Sequence, residues 1–186
     1  MLEIEMKFPV TDFAALERRL SEWGASAPAS REDADEYFNA PDRDFARTDE
    51  ALRVRRIGSA NHVTYKGPKR DTQTKTRTEI EVPFAGGDEA ARDFAAILTH
   101  LGYRSTAVVR KRRTVYHLTR QGFDLEVCLD DVEQVGRFVE LEIVAPEEAL
   151  DQAKAVLLQT AAELGLGASE RRSYLEMLLN KTAGSA

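Results

Sequence analysis

Charged and apolar residues alternate with a period of two at the start of this chain, in LEIEMKF (residues 2–8), a pattern that suits a strand with two unlike faces. Leu2, Ile4, Met6 and Phe8 share one face; Glu3, Glu5 and Lys7 share the other, with the two carboxylates about 7 Å apart along the strand. The alternation returns at residues 34–39, 51–57, 62–66, 75–83, 107–118, 122–132 and 137–144, predicting eight strands. Short links such as Gly58 to Asn61 and Thr119 to Gly122 join neighbours as hairpins. The expected fold is therefore α+β: a closed eight-stranded antiparallel β-barrel, or tunnel, with helices packed on the outside.

Helical spacing is rarer. Phe13, Leu16, Leu20 and Trp23 form one apolar stripe ending at Gly24, and Ala91, Phe94, Leu98 and Leu101 form another ending at Gly102. Leu150, Ala153, Leu157, Ala161 and Leu164 give a third after Pro146, and RRSYLEMLLN is read as a short closing helix. GASAPASRED (residues 24–33) and GPKRDTQT (residues 67–74) read as mobile loops.

At 186 residues, with no compositional break, the sequence is expected to form one domain over residues 1–186. No apolar run approaches the roughly 20 residues of a membrane helix, and the first residues lack a basic stretch followed by an apolar one. The single Cys128 excludes an internal disulfide and a cysteine-rich zinc site, while His62, His100 and His117 are scattered in sequence. A cytoplasmic setting, with no membrane partner, is the expectation. The net charge of −6 argues against a general nucleic-acid binder. Basic residues nevertheless concentrate in LRVRRIG, KGPKRDTQTKTR and RKRRTVY, which suggests a small anionic ligand held in a site.

The decisive question is which way the ionic faces point. Outward-facing charges would form a solvated surface of weak ion pairs, each worth about 0–1 kcal/mol. The amphipathic helices require an apolar surface to cover, however, and the apolar strand faces are the large ones available. The ionic faces are then expected inside. Buried charge is costly to stability, so function explains it better. The lining comprises Lys7, Arg53, Arg55, Lys66, Arg77, Lys111 and Arg113, with Glu3, Glu5, Glu79, Glu81, Asp130, Glu140 and Glu142. Arg forks and Lys point charges suit a phosphate chain, and carboxylates tolerate such a ligand if divalent ions intervene. An all-oxygen donor set indicates Mg²⁺, or Mn²⁺ in its place.

Glu3-x-Glu5-x-Lys7 resembles the ExExK signature of the CYTH superfamily, the triphosphate tunnel metalloenzymes. LRVR, YKGP, TRTEIEV, the Lys111-x-Arg113 of RKRRTVY and LDDVEQVGRFVELEI follow in the family's order, so the likeness runs from Glu3 to Glu142. RRSYLEMLL is similar to the tail of the class IV adenylyl cyclase branch. The resemblance implies an eight-stranded tunnel binding a triphosphate with divalent metal. It assigns Lys7, Arg53, Arg55, Lys66 and Arg113 to phosphate binding, with Lys111 nearby. Glu3, Glu5, Asp130, Glu140 and Glu142 take the metal positions, and either Glu79 or Glu81 the acidic position of the fifth strand. It leaves Arg171, Arg172 and Lys181 without an assigned role and leaves a homodimer open.

The activity expected is metal-dependent phosphoryl or nucleotidyl transfer, with Glu5, Lys111 and Arg113 as the catalytic residues. The tail leans towards conversion of ATP to cyclic AMP and pyrophosphate. The intact pair Glu140 and Glu142 leans towards hydrolysis of an inorganic, nucleoside or thiamine triphosphate. A noncatalytic module binding polyphosphate or a nucleotide is a third alternative, disfavoured by the full acidic complement.

Overall fold

The computed structural model describes residues 2–26, 28–69 and 77–183. The elements run β1 (Leu2–Val10), α1 (Ala14–Glu22), β2 (Ala29–Asn39), α2 (Phe45–Thr48), β3 (Ala51–Ile57), β4 (Ala60–Lys66), β5 (Glu79–Phe84), α3 (Asp88–His100), β6 (Arg104–Arg120), β7 (Phe123–Val132) and β8 (Gly136–Ala145). A 3₁₀ turn (Glu147–Ala149), α4 (Leu150–Glu163) and α5 (Tyr174–Ala183) complete the chain. All eight strands join one antiparallel sheet in the order β1-β8-β7-β6-β2-β3-β4-β5.

The sheet curls strongly but is not the closed barrel expected. Its edge strands, β1 and β5, form no ladder; among the described residues an isolated bridge between Glu3 and Arg77 spans them. A continuous seam needs consecutive backbone partners, and here the segment leading into β5 offers one. Edge strand β5 also contains Pro83, which has no N–H to donate.

Packing follows the alternation. Ile4, Met6 and Phe8 of β1, Leu125, Val127 and Leu129 of β7, and Val139, Leu141 and Ile143 of β8 form a convex apolar face. Leu16 and Leu20 of α1 and Ala153, Val156, Leu157 and Ala161 of α4 bury it. Farther round, Leu98 of α3 packs on Phe38 and Val54. At about 25 cal/mol per Å² of apolar surface removed from water, this double layer is the main stabilising contribution and leaves the ionic parity facing the concave side. Gln121 and Gly122, both at positive φ, make the tight turn that pairs β6 with β7 and so fixes their register.

Two further expectations change. Residues 29–33 are not loop: β2 begins at Ala29 and pairs with β6 from Ala29 opposite Val115 onwards. Nor do all the helices lie outside. Tyr174, Met177 and Leu178 of α5 pack on Val109, Val132 and Phe138, which share parity with the ionic residues of β6, β7 and β8. Those three apolar residues give α5 a greasy landing on the concave face. The part of the expected loop at residues 70–74, and Lys75 and Thr76 of the expected fifth strand, lie outside the described residues. Among the described residues no helix is long and apolar enough to cross a membrane.

Candidate functional site

The concave face encloses a cavity of about 340 Å³, within the range of small-molecule sites. Of the predicted residues, Glu3, Glu5, Lys7, Arg53, Arg55, Lys66, Arg77, Glu79, Glu81, Lys111, Arg113, Glu140 and Glu142 all line it. Asp130 does not reach its surface. It is fully buried beneath the cations, accepting from Arg113 Nε at 2.7 Å and Nη2 at 2.5 Å and from Lys111 Nζ at 3.3 Å. Arg113 also bonds Glu140. Asp130 and Glu140 are thus gathered around guanidinium and ammonium groups, apart from the other predicted metal ligands.

Strand register explains this grouping. Arg113 lies directly across from Asp130, and Asp130 from Phe138, so one row crosses β6, β7 and β8. The next row on the same face sets Cys128, Glu140 and Lys7 side by side, and the one beyond it joins Glu5, Glu142 and Glu126 across β1, β8 and β7. Like charges directly opposite on a sheet are destabilising, which makes that last row an unusual feature. Burial, Glu5 and Glu126 together raise the Glu142 carboxyl from 4.5 to about 7. At the rim of the same region burial pushes Glu3 up, with Lys66 opposing and Glu142 and Glu79 reinforcing. Lys66 Nζ stands 2.5 Å from Glu79 and 3.6 Å from Glu3. Burial and Arg53 work against the Lys66 ammonium, yet Glu3 and Glu79 outweigh them and raise its pKa.

Two residues of β2 escaped the sequence reading. Asp35 receives both Nε and Nη2 of Arg55 at 2.6 Å, and Arg53 Nη1 at 3.3 Å. Burial alone would raise its pKa, but those guanidinium groups hold it well below the usual carboxylate range. Asp33, also buried, accepts from Arg31 at 3.1 Å and faces Arg55 and Lys111 at 3.9 and 4.0 Å. Glu126, which lines the cavity and accepts from the Cys128 thiol at 3.1 Å, was likewise missed. The signal was present: Arg31, Asp33, Asp35 and Tyr37 alternate, as do Glu126 and Asp130, on the inward parity.

The remaining predicted groups line other parts of the same cavity. Arg53 Nη2 lies 3.7 Å from Glu79 and 3.6 Å from Glu81, and Glu81 accepts from Thr64 at 2.8 Å. Arg77 lines the cavity, with Nη1 3.4 Å from the Gly67 carbonyl. Burial and adjacent Arg113 lower the Lys111 pKa. Lys7 is almost wholly buried and donates to the Arg172 carbonyl.

The CYTH domain family matches residues 1–174. The chain belongs to the CYTH family. This CYTH chain is 35% identical over 180 residues to a Methanocaldococcus jannaschii protein provisionally named an adenylate cyclase, covering 95% of this chain and 98% of that protein. It is 30% identical over 178 residues to the adenylate cyclase CyaB of Aeromonas hydrophila, covering 92% and 86%. Among solved structures, the PH1819 protein of Pyrococcus horikoshii superposes with a TM-score of 0.83 at 35% identity, covering 96% of this CYTH chain and 99% of that one.

Proposed function

We propose that this CYTH protein is a divalent-metal-dependent enzyme acting on a triphosphate held in the cavity, and that its reaction is that of an adenylyl cyclase: ATP to cyclic AMP and pyrophosphate. The observation carrying this reading is the coexistence, on one enclosed face, of a multivalent cation set and a row of directly opposed carboxylates, Glu5, Glu142 and Glu126. Cations alone would suit any polyanion. The carboxylate row would repel that anion unless a hard cation lay between them.

The donor set fits such an ion. Glu3, Glu5, Glu79, Glu126 and Glu142 provide only oxygens, and burial, reinforced by neighbouring carboxylates, raises the carboxyls of Glu3 and Glu142 despite Lys66. Among the described residues no three His, Cys, Asp or Glu side chains converge as a ready-made metal-binding group. Glu3 and Glu79 are instead turned towards Lys66, so binding requires them to exchange that partner. When bound, Mg²⁺ or Mn²⁺ would neutralise phosphate oxygens and lower the pKa of an attacking hydroxyl.

The protein's own contribution is positioning and electrostatics. Arg113, Lys111, Arg55 and Arg53 present cationic groups to the phosphate chain, while Asp130 and Asp35 beneath them hold those groups in place. Lys66 and Arg53 lie where the phosphate-binding region meets the carboxylates. In the cyclase reaction the ribose 3′ oxygen bonds to the α-phosphorus, pyrophosphate leaves with the bond's electron pair, and the 3′ proton passes to a carboxylate such as Glu5. The names of the Aeromonas and Methanocaldococcus relatives support this choice.

A second reading, hydrolysis of tripolyphosphate or another triphosphate, is favoured by the intact pair Glu140 and Glu142 on β8. Purified protein incubated with Mg²⁺ or Mn²⁺ and either ATP or tripolyphosphate distinguishes the two. Cyclic AMP with pyrophosphate is the expected product set from ATP; orthophosphate as the main product would favour the hydrolase. Turnover of neither substrate would remove the enzyme reading.

A further inference from the structure

The C-terminal helix enters the concave face, and its first residue is deeply placed among the cations. Tyr174 is 7% exposed, and its hydroxyl donates to Asp130 Oδ2 at 2.9 Å. That same carboxylate braces Lys111 and Arg113. The Tyr174 ring also carries the Lys7 ammonium 4.0 Å from its centroid and the Lys111 ammonium at 5.3 Å. Just before it, the Arg172 carbonyl accepts from Lys7 Nζ, and the Glu170 N–H donates to the Lys7 carbonyl. Phe138 supports the ring, with centroids 5.2 Å apart.

By contrast, the basic side chains nearby make other contacts: Arg172 bonds Glu170, and Lys181 bonds the Val135 carbonyl. What the tail brings to Lys7, Lys111 and Asp130 is an aromatic alcohol and a backbone oxygen, which sequence inspection for charge would pass over.

We propose that Tyr174 is a positioning residue for triphosphate binding: its hydroxyl occupies part of Asp130, leaving Lys111 and Arg113 freer to face an anion, while its ring fixes the Lys7 ammonium. The physical basis is competition for one carboxylate. Asp130 accepts from three side chains, and each donor reduces its pull on the other two. Without the hydroxyl, Asp130 draws Lys111 and Arg113 more tightly into the wall. Without the ring, Lys7 loses a cation–π partner as well. The proposal rests on the reading that the cavity holds a triphosphate.

Tyr174→Phe keeps the ring and removes the hydroxyl; Tyr174→Leu removes both. Calorimetry with tripolyphosphate and Mg²⁺ is expected to show about 3–10-fold weaker binding for Tyr174→Phe, the scale of one lost hydrogen bond. Binding by Tyr174→Leu is expected to be weaker again. In turnover assays Tyr174→Phe should raise KM with kcat and Tm nearly unchanged. A purely structural role predicts the reverse, with lower Tm and less active protein at an unaltered KM, and would overturn the assignment. If wild-type protein binds tripolyphosphate and Tyr174→Phe binds it equally or more tightly, the positioning role falls alone. If wild-type protein binds none, the triphosphate reading falls and takes this proposal with it.

Discussion

Two regions of one cavity treat charge in opposite ways. Around β2, β3, β6 and β7, each cationic group has a carboxylate beneath it: Asp35 under Arg55 and Arg53, Asp130 under Arg113 and Lys111. Around β1, β8 and the rim of β5, carboxylates face one another across the strands, with Lys66 as their principal cation. The first region is compensated within the protein and is organised before any ligand arrives. The second carries a surplus of negative charge that the fold bears as a cost. The contrast separates residues whose removal should harm the fold from residues whose removal should harm function alone.

The largest expected effect lies in the compensated region. Asp130→Ala leaves Arg113, Lys111 and Tyr174 without their shared acceptor, and breaking a buried ion pair from one side costs roughly 3–5 kcal/mol. Urea unfolding should show that loss. A change below 1 kcal/mol would mean that Asp130 is not the organising anion, and the distinction between the regions would fail.

Next comes Arg53, which lies between them, touching Asp35 on one side and approaching Glu79 and Glu81 on the other. Arg53→Ala is expected to weaken triphosphate binding by about 1.5–3 kcal/mol, the range for a hydrogen bond to a charged group. Calorimetry with tripolyphosphate measures it, and unchanged affinity would exclude Arg53 from the ligand's path.

Much of this contrast was legible in the sequence because alternation reports parity. Glu3, Glu5 and Lys7, Arg53 and Arg55, and Lys111 and Arg113 all face the cavity as their spacing requires. Alternation does not report register, however. That Glu126 stands beside Glu142, whereas Asp130 stands beside Arg113, depends on how β6, β7 and β8 align, and no local pattern encodes it. Asp33 and Asp35 were obscured differently. Ala29, Ser30 and the polar run up to Asp33 look like a loop, and their strand conformation comes from pairing with β6, a contact distant in sequence. Asp35 falls in the strand expected at residues 34–39, but Glu36 beside it is acidic too, so the charge pattern there does not choose a face. Closure was over-read for a related reason, since eight strands permit a barrel without specifying that β1 and β5 join. The inward course of α5 depended on Val109, Val132 and Phe138 forming an apolar landing within an otherwise ionic parity.

The surplus region should make stability depend on pH in a direction unlike that of ordinary ion-paired carboxylates. Glu142, raised from 4.5 to about 7, and Glu3, also raised, bind protons more tightly in the folded state than in the unfolded one. Their stabilising contribution is full below about pH 4.5 and is lost as pH rises through the folded-state values. Metal-free protein should therefore lose thermal stability between about pH 5 and pH 8. Mg²⁺ favours the deprotonated carboxylates, so its stabilising effect should grow over the same interval. Thermal scans with EDTA and with Mg²⁺ check both slopes. An equal Mg²⁺ effect at both ends of the interval would disconnect the ion from these carboxylates.

The smallest effect has the most telling sign. Glu142→Gln removes the central charge from the row Glu5, Glu142 and Glu126 while keeping its shape. Because directly opposed like charges on a sheet are destabilising on a scale of about 0.2–1 kcal/mol, the metal-free variant at pH 8 should be more stable than wild type by about that amount. At the same time it should lose Mg²⁺-dependent turnover and most of the Mg²⁺-induced rise in Tm. Asp130→Ala and Glu142→Gln each remove a carboxylate from the same concave wall, yet their stability changes should have opposite signs. If both destabilise, the carboxylates around Glu142 are compensated as fully as those beneath the cations, and no ion is needed to explain them.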